Sequence, residues 1–236
     1  MILHPAGPDS GIVFRRSDAG AEIRADWSNS IESALSTVLS NREGVHVATV
    51  EHLLAALAGN RIDNAVVELD GPEVPIMDGS AAPFVRLIQG VGTEAQEAPR
   101  RAIKIIKPVE VAESGSSATL LPASGFSMSF EIDFNNPLIR HQNLSLSIDP
   151  DAFNAELAPA RTFGLLDDWP RLKAAGLARG GSLENAVVVS GDRVLNTDGL
   201  RFADEFVRHK LVDAIGDLFL AGGAIAALFR SHSAYL

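Results

Sequence analysis

Apolar and polar positions alternate with a period of two from Phe126 to Phe134, which predicts a strand with one face against a core. Shorter β-rich runs predict strands at Gly11 to Phe14, Ala34 to Leu39, Asn64 to Leu69, Ile103 to Ile106, Thr119 to Leu121 and Leu144 to Ile148. Helical spacing marks Thr49 to Leu57, closed by Gly59, then Ala81 to Gln89, Asp168 to Ala175 and Asp204 to Leu220. Small and charged residues from Glu94 to Arg101 read as a linker, so the chain divides into residues 1–98 and 99–236, each an α/β unit. Ile62-Asp63-Asn64-Ala65-Val66-Val67 is echoed by Leu183-Glu184-Asn185-Ala186-Val187-Val188, which supports two related halves with a ligand cleft expected between them.

With 236 residues, 46% of them hydrophobic, the chain can bury a substantial core and reads as soluble and globular. The longest apolar run, Leu218 to Phe229, is too short to span a bilayer and is expected to be a core helix with a Gly-rich end. Met1-Ile2-Leu3-His4-Pro5 has no basic region ahead of an apolar stretch, so no secretory leader is expected. The absence of cysteine removes disulfides and thiolate metal sites and leaves histidine and carboxylates as the ligands to consider; a cytoplasmic location fits. A formal net charge of −10 argues against a nucleic-acid partner and leaves any phosphate to local basic groups.

The chemistry concentrates in two distant segments, Thr49-Val50-Glu51-His52-Leu53-Leu54 and Arg208-His209-Lys210-Leu211-Val212-Asp213. On a helix His209 and Asp213 share a face, so both reach one ion, with His52 as third ligand and Glu51 beside it as proton carrier. Two imidazoles and one carboxylate bind zinc and leave a position open for water, the arrangement of a hydrolytic site. The plainer alternatives are an exposed ion pair for His209 and Asp213 and a first-turn carboxylate favoured by the helix dipole for Glu51. His4, His46 and His141 have no partner at ligand spacing and read as surface or strand histidines.

Five motifs in order carry a resemblance: Thr49 to Leu53, Pro75 to Phe84, Ala160-Arg161-Thr162-Phe163-Gly164, Gly180-Gly181-Ser182 and Asp204 to Lys210. They resemble UDP-3-O-acyl-N-acetylglucosamine deacetylase, the zinc amidase of lipid A synthesis, over nearly the whole chain. The resemblance implies an α+β fold of two related two-layer α/β sandwich domains, with the active site between them, in a bacterial cytoplasmic enzyme. It implies Zn2+ on His52, His209 and Asp213, with Fe2+ as the other candidate metal, and Glu51 as general base. Thr162 would donate to the developing oxyanion, though a turn or cap role suits it too. Lys210 would place a positive charge near the reacting centre or the nucleotide phosphates. The acylated UDP-sugar would meet Phe163, Leu166 and Ser182, with Leu165, Leu172 and Leu177 also lining the passage for its acyl chain.

In the family, extra strands with a Gly-Leu-His-Ser-Gly type segment come first, and a Gly-His near the far end supplies a histidine that pairs with an aspartate at the position of Asp217. Here the sequence opens at Leu3-His4-Pro5 and stops at Leu236, and His232 lacks the context to be that histidine. Reduced activity is therefore one expectation, and a catalytically impaired relative with a binding or regulatory role is the alternative. A second copy or another partner would cover the sheet edge that the shorter start exposes. Asp78-Gly79-Ser80 reads as a turn and N-cap, and Gly180-Gly181 as a place of backbone crowding.

Overall fold

The computed structural model describes residues 1–113 and 115–235. The first elements are β1 (Ile2–Pro5), β2 (Ile12–Arg16), β3 (Ala21–Arg24), β4 (Ser30–Ile31), β5 (Val38–Ser40), β6 (His46–Ala48), α1 (Glu51–Gly59), β7 (Ala65–Leu69) and α2 (Ala82–Val91). They are followed by β8 (Ala102–Lys104), β9 (Val109–Glu113), β10 (Ser116–Pro122), β11 (Phe126–Phe134), β12 (His141–Ser147), α3 (Pro150–Ala152), β13 (Phe163–Leu165) and α4 (Trp169–Ala174). The last are β14 (Val187–Ser190), β15 (Arg193–Val194), α5 (Glu205–Phe219) and β16 (Ala224–Tyr235). Helices and sheets are mixed in the manner of an α+β fold.

Two compact units are present, and neither is one continuous stretch. Unit 1 holds residues 1–76, 84–103 and 212–225, and unit 2 holds 77–83, 104–211 and 226–236. In unit 1 a sheet runs in the order β1-β7-β2-β3, with β2 and β7 parallel and the outer pairs antiparallel, and a small antiparallel sheet runs β4-β5-β6. Parallel β2 and β7 need a crossover, and α1 lies within it. Phe14, Ile23 and Val67 of the sheet and Leu53, Leu54 and Leu57 of α1 are fully buried. Almost every residue of α1 is buried, which its Leu- and Ala-rich sequence permits. In α2 the burial is one-sided, with Phe84, Val85 and Ile88 inside and Leu87 exposed.

In unit 2 five strands run in the order β12-β11-β16-β10-β9, with β11 and β16 parallel and the other neighbours antiparallel. The alternation read from sequence holds along β11: Met128, Phe130 and Ile132 are buried, and the residues between them turn outward. A second sheet runs β13-β14-β15, and Phe163 of β13 meets Phe206 of α5 edge-on, with ring centroids 4.9 Å apart.

Two expectations fail. The Leu218 to Phe229 run is not a helix: α5 stops at Phe219, Gly222 takes φ +87° in the turn, and the rest is β16 between β10 and β11. A short apolar run does not distinguish a buried helix from a central strand. The strand expected at Ala34 to Leu39 starts only at Val38, because Leu35 is exposed and the Thr37 N–H goes to the Glu51 carboxylate instead of a strand partner. Among the described residues no helix is long and apolar enough to cross a membrane.

Candidate functional site

The turn into α1 sets the first part of the site. Thr49 has φ +58°, a conformation that a β-branched residue rarely adopts, and its hydroxyl donates to Glu73 Oε1 at 2.8 Å. Val50 offers no side-chain cap, so Glu51 and His52 enter the helix directly from this turn. Both are buried, at 6% and 4% exposure. The Thr37 N–H donates to Glu51 Oε2 at 3.0 Å, and the Thr37 hydroxyl donates to Asp217 Oδ1 at 2.6 Å.

Helix α5 brings the other two candidate ligands one turn apart. Candidate donor atoms of His52, His209 and Asp213 all lie within 4.8 Å of one another. His52 Nε2 is 3.4 Å from Asp213 Oδ1. Two ligands at ~2.0–2.1 Å from a tetrahedral ion stand roughly 3.4 Å apart, so this donor set and spacing fit zinc. His209 Nδ1 lies 3.0 Å from the carbonyl oxygen of Ala160. A carbonyl can only accept, so Nδ1 carries the proton and Nε2 keeps its lone pair for a metal.

Burial pushes the Glu51 carboxyl up from its ordinary value of 4.5 to about 7; His52 pulls the other way, and the Asp213 charge adds to the rise. A buried carboxylate that takes up a proton near neutrality has the character of a general base rather than of a surface ion.

The other expected residues fall as follows. Thr162 does not cap a helix; it leads into β13, with its N–H donating to the Gly79 carbonyl at 2.7 Å and its own carbonyl accepting from Val187 N at 2.8 Å. Gly79 has φ +82°, and a Cβ there would stand 2.1 Å from the Asn185 carbonyl oxygen, so glycine is required for this approach. Asp78 accepts from the Ser80 N–H and hydroxyl, and Ser80 Oγ caps Ala82 N, which makes the turn and cap. Phe163 packs against Phe206, and Lys210 Nζ stands 5.8 Å over the Phe163 ring. Leu166 is 42% exposed, and Leu165, Leu172 and Leu177 are half-buried. Ser182 is exposed in a turn closed by Asn185. His4 pairs with Glu68, and His141 and His232 both approach Glu131, so these histidines do not join the ligand cluster. The sequence reading missed Thr37 and the buried Arg161–Glu205 pair; the signal for the latter was Glu205 standing four residues before His209 on one helix.

Comparison with known proteins gives the family of the chain. The UDP-3-O-acyl-N-acetylglucosamine deacetylase of Phenylobacterium zucineum is 52% identical over 233 residues, covering 98% of this chain and 80% of that protein. The same-named protein of Pseudomonas entomophila is 51% identical over 236 residues, covering 98% and 78%. That of Myxococcus xanthus is 54% identical over 224 residues, covering 94% and 71%. Residues 1–234 match the family described as UDP-3-O-acyl N-acetylglycosamine deacetylase, and the chain belongs to that family.

Proposed function

We propose that this chain is a cytoplasmic, zinc-dependent amidase that hydrolyses the 2-acetamido group of UDP-3-O-acyl-N-acetylglucosamine and releases acetate in lipid A biosynthesis. One observation carries the reading: His52, His209 and Asp213 converge at ligand spacing, and the buried Glu51 adjoins His52. Zinc held by these three side chains would polarise the acetamide carbonyl and acidify a water molecule.

The chain's own residues divide the remaining work. Glu51 takes the proton of the attacking water, and its raised pKa gives it more basicity than a solvated carboxylate. The Thr37 N–H holds one of its oxygens in place. The Thr162 hydroxyl donates to the oxygen on which charge develops, and the backbone bonds on both sides of Thr162 keep it in position. Lys210 supplies positive charge to the reacting centre or the nucleotide phosphates, and Asp217, tied to the Thr37 hydroxyl, orients its neighbours. Phe163, Leu166 and Ser182 contact the substrate.

Metal content and acetate release from the acylated UDP-sugar test this, with Glu51→Ala as comparison. Stoichiometric zinc and turnover that falls ~100-fold or more in the variant are the expected results. A reconstituted protein that takes up no metal sinks the reading. Bound zinc without turnover in either protein would make this chain a binding or regulatory member of its family. Asp213→Ala should lose the metal and keep the fold, because this side chain is 22% exposed and not part of the packed core. Retained stoichiometric metal would remove Asp213 from the site.

A further inference from the structure

Glu205 and His209 lie four residues apart on α5, so their side chains leave the helix on one face. They meet the two ends of a single peptide group. The Arg161 N–H donates to Glu205 Oε1 at 3.0 Å, and the Ala160 carbonyl, at the other end of that peptide, accepts from His209 Nδ1 at 3.0 Å. A peptide is planar, so whatever fixes the direction of its N–H also fixes its C=O. Glu205 is itself held firmly. It is 0% exposed, and its carboxylate also accepts from Arg161 Nε at 2.9 Å, Arg161 Nη2 at 3.2 Å and Arg201 N at 2.6 Å. Turning it would break several bonds at once, in surroundings that water does not reach to replace them.

We infer that Glu205 is a positioning residue for the metal centre: through the Ala160–Arg161 peptide it fixes the His209 ring, with Nδ1 protonated and Nε2 presented as ligand. The inference rests on the metal-centre reading above. A pair kept only for packing would stabilise the fold and leave metal affinity alone, and affinity therefore separates the two roles. Outer partners that orient a ligating histidine change affinity by ~10–100-fold when removed.

The test is competition for Zn2+ against a chromogenic chelator, together with the visible spectrum of the Co2+-loaded protein, each variant being measured well below its own melting temperature. Glu205→Gln should bind zinc ~10–100-fold more weakly and shift the cobalt bands. Asp198→Asn, which touches only the outer Nη1 of Arg161, should match the parent in both. Unchanged affinity and spectrum in a folded Glu205→Gln protein would overturn the inference. For a Glu205→Gln protein that does not fold, Arg161→Lys takes its place with the same expected direction and the same overturning result. If the parent takes up no zinc, the metal reading is what fails. The tautomer of His209, read by long-range proton–nitrogen correlation in the metal-free protein, then decides this inference: a proton on Nδ1 is expected, and one on Nε2 overturns it.

Discussion

Helices α1 and α5 each open on a buried glutamate, Glu51 and Glu205, and the two carboxylates have been given opposite surroundings. Glu205 is met by a guanidinium and two backbone N–H groups and shares its oxygens among four donors. Glu51 adjoins His52, has the Asp213 charge nearby, and burial lifts it to about 7. A carboxylate permanently matched to a cation serves the architecture, whereas one buried with too little compensation stays able to accept a proton near neutral pH.

The largest effect that would break this contrast comes from Arg161→Met, which leaves Glu205 buried without its cation. A loss of ~3–5 kcal/mol in unfolding free energy is expected, measured by urea titration. A loss below ~1 kcal/mol would mean that the remaining N–H donors suffice and that the two glutamates differ less than their partners suggest.

Next comes a pH dependence in the metal-free protein. The folded-state pKa of Glu51 lies above its ordinary 4.5, so its contribution to stability is fully present below about 4.5 and is lost as pH rises through about 7. The shift corresponds to about 3 kcal/mol. Glu51→Gln cannot ionise, so its stability relative to the parent should rise by that order between acid and mildly alkaline pH. A flat difference across this range would show that Glu51 is ionised without cost.

The smallest effect sharpens the contrast at the contact between the helices. A Cβ on Gly216 of α5 would stand 2.1 Å from the Glu51 carbonyl oxygen. Gly216→Ala gains ~1 kcal/mol of helix propensity and costs ~1–3 kcal/mol in overpacking, so a net loss of about 1 kcal/mol is expected in thermal melts. The variant should also flatten the Glu51 pH dependence, since the backbone that places Glu51 has to move. A net gain in melting temperature would mean that α1 yields freely.

Much of this was written locally. β11 could be read end to end because each second side chain is apolar and faces a core, and the His209–Asp213 pairing needed only the helical repeat. What stayed hidden depends on residues distant in sequence. Ala224 to Phe229 becomes a strand because β10 and β11 stand on either side to pair with it, and nothing in the run itself announces those neighbours. Glu205 has its partner Arg161 far back along the chain, where helical spacing gives no hint of the pair, and Thr37 showed no chemistry until the fold put Glu51 on its N–H and Asp217 on its hydroxyl.

The interleaving of the two units bears on how the protein is made. Unit 1 starts at Met1 and is completed only by residues 212–225, after nearly all of unit 2 has been synthesised. The central strand of the unit 2 sheet, β16, follows later still. A nascent chain therefore leaves the ribosome with β1, β2, β3 and α1 in hand and the helix segment that closes their unit still unmade. Long-range closure of this kind makes folding slow and leaves apolar surface open to chaperones meanwhile. The segment that completes α5 also carries Asp213, which stands 3.4 Å from His52, so that contact cannot form until the chain has grown past residue 213.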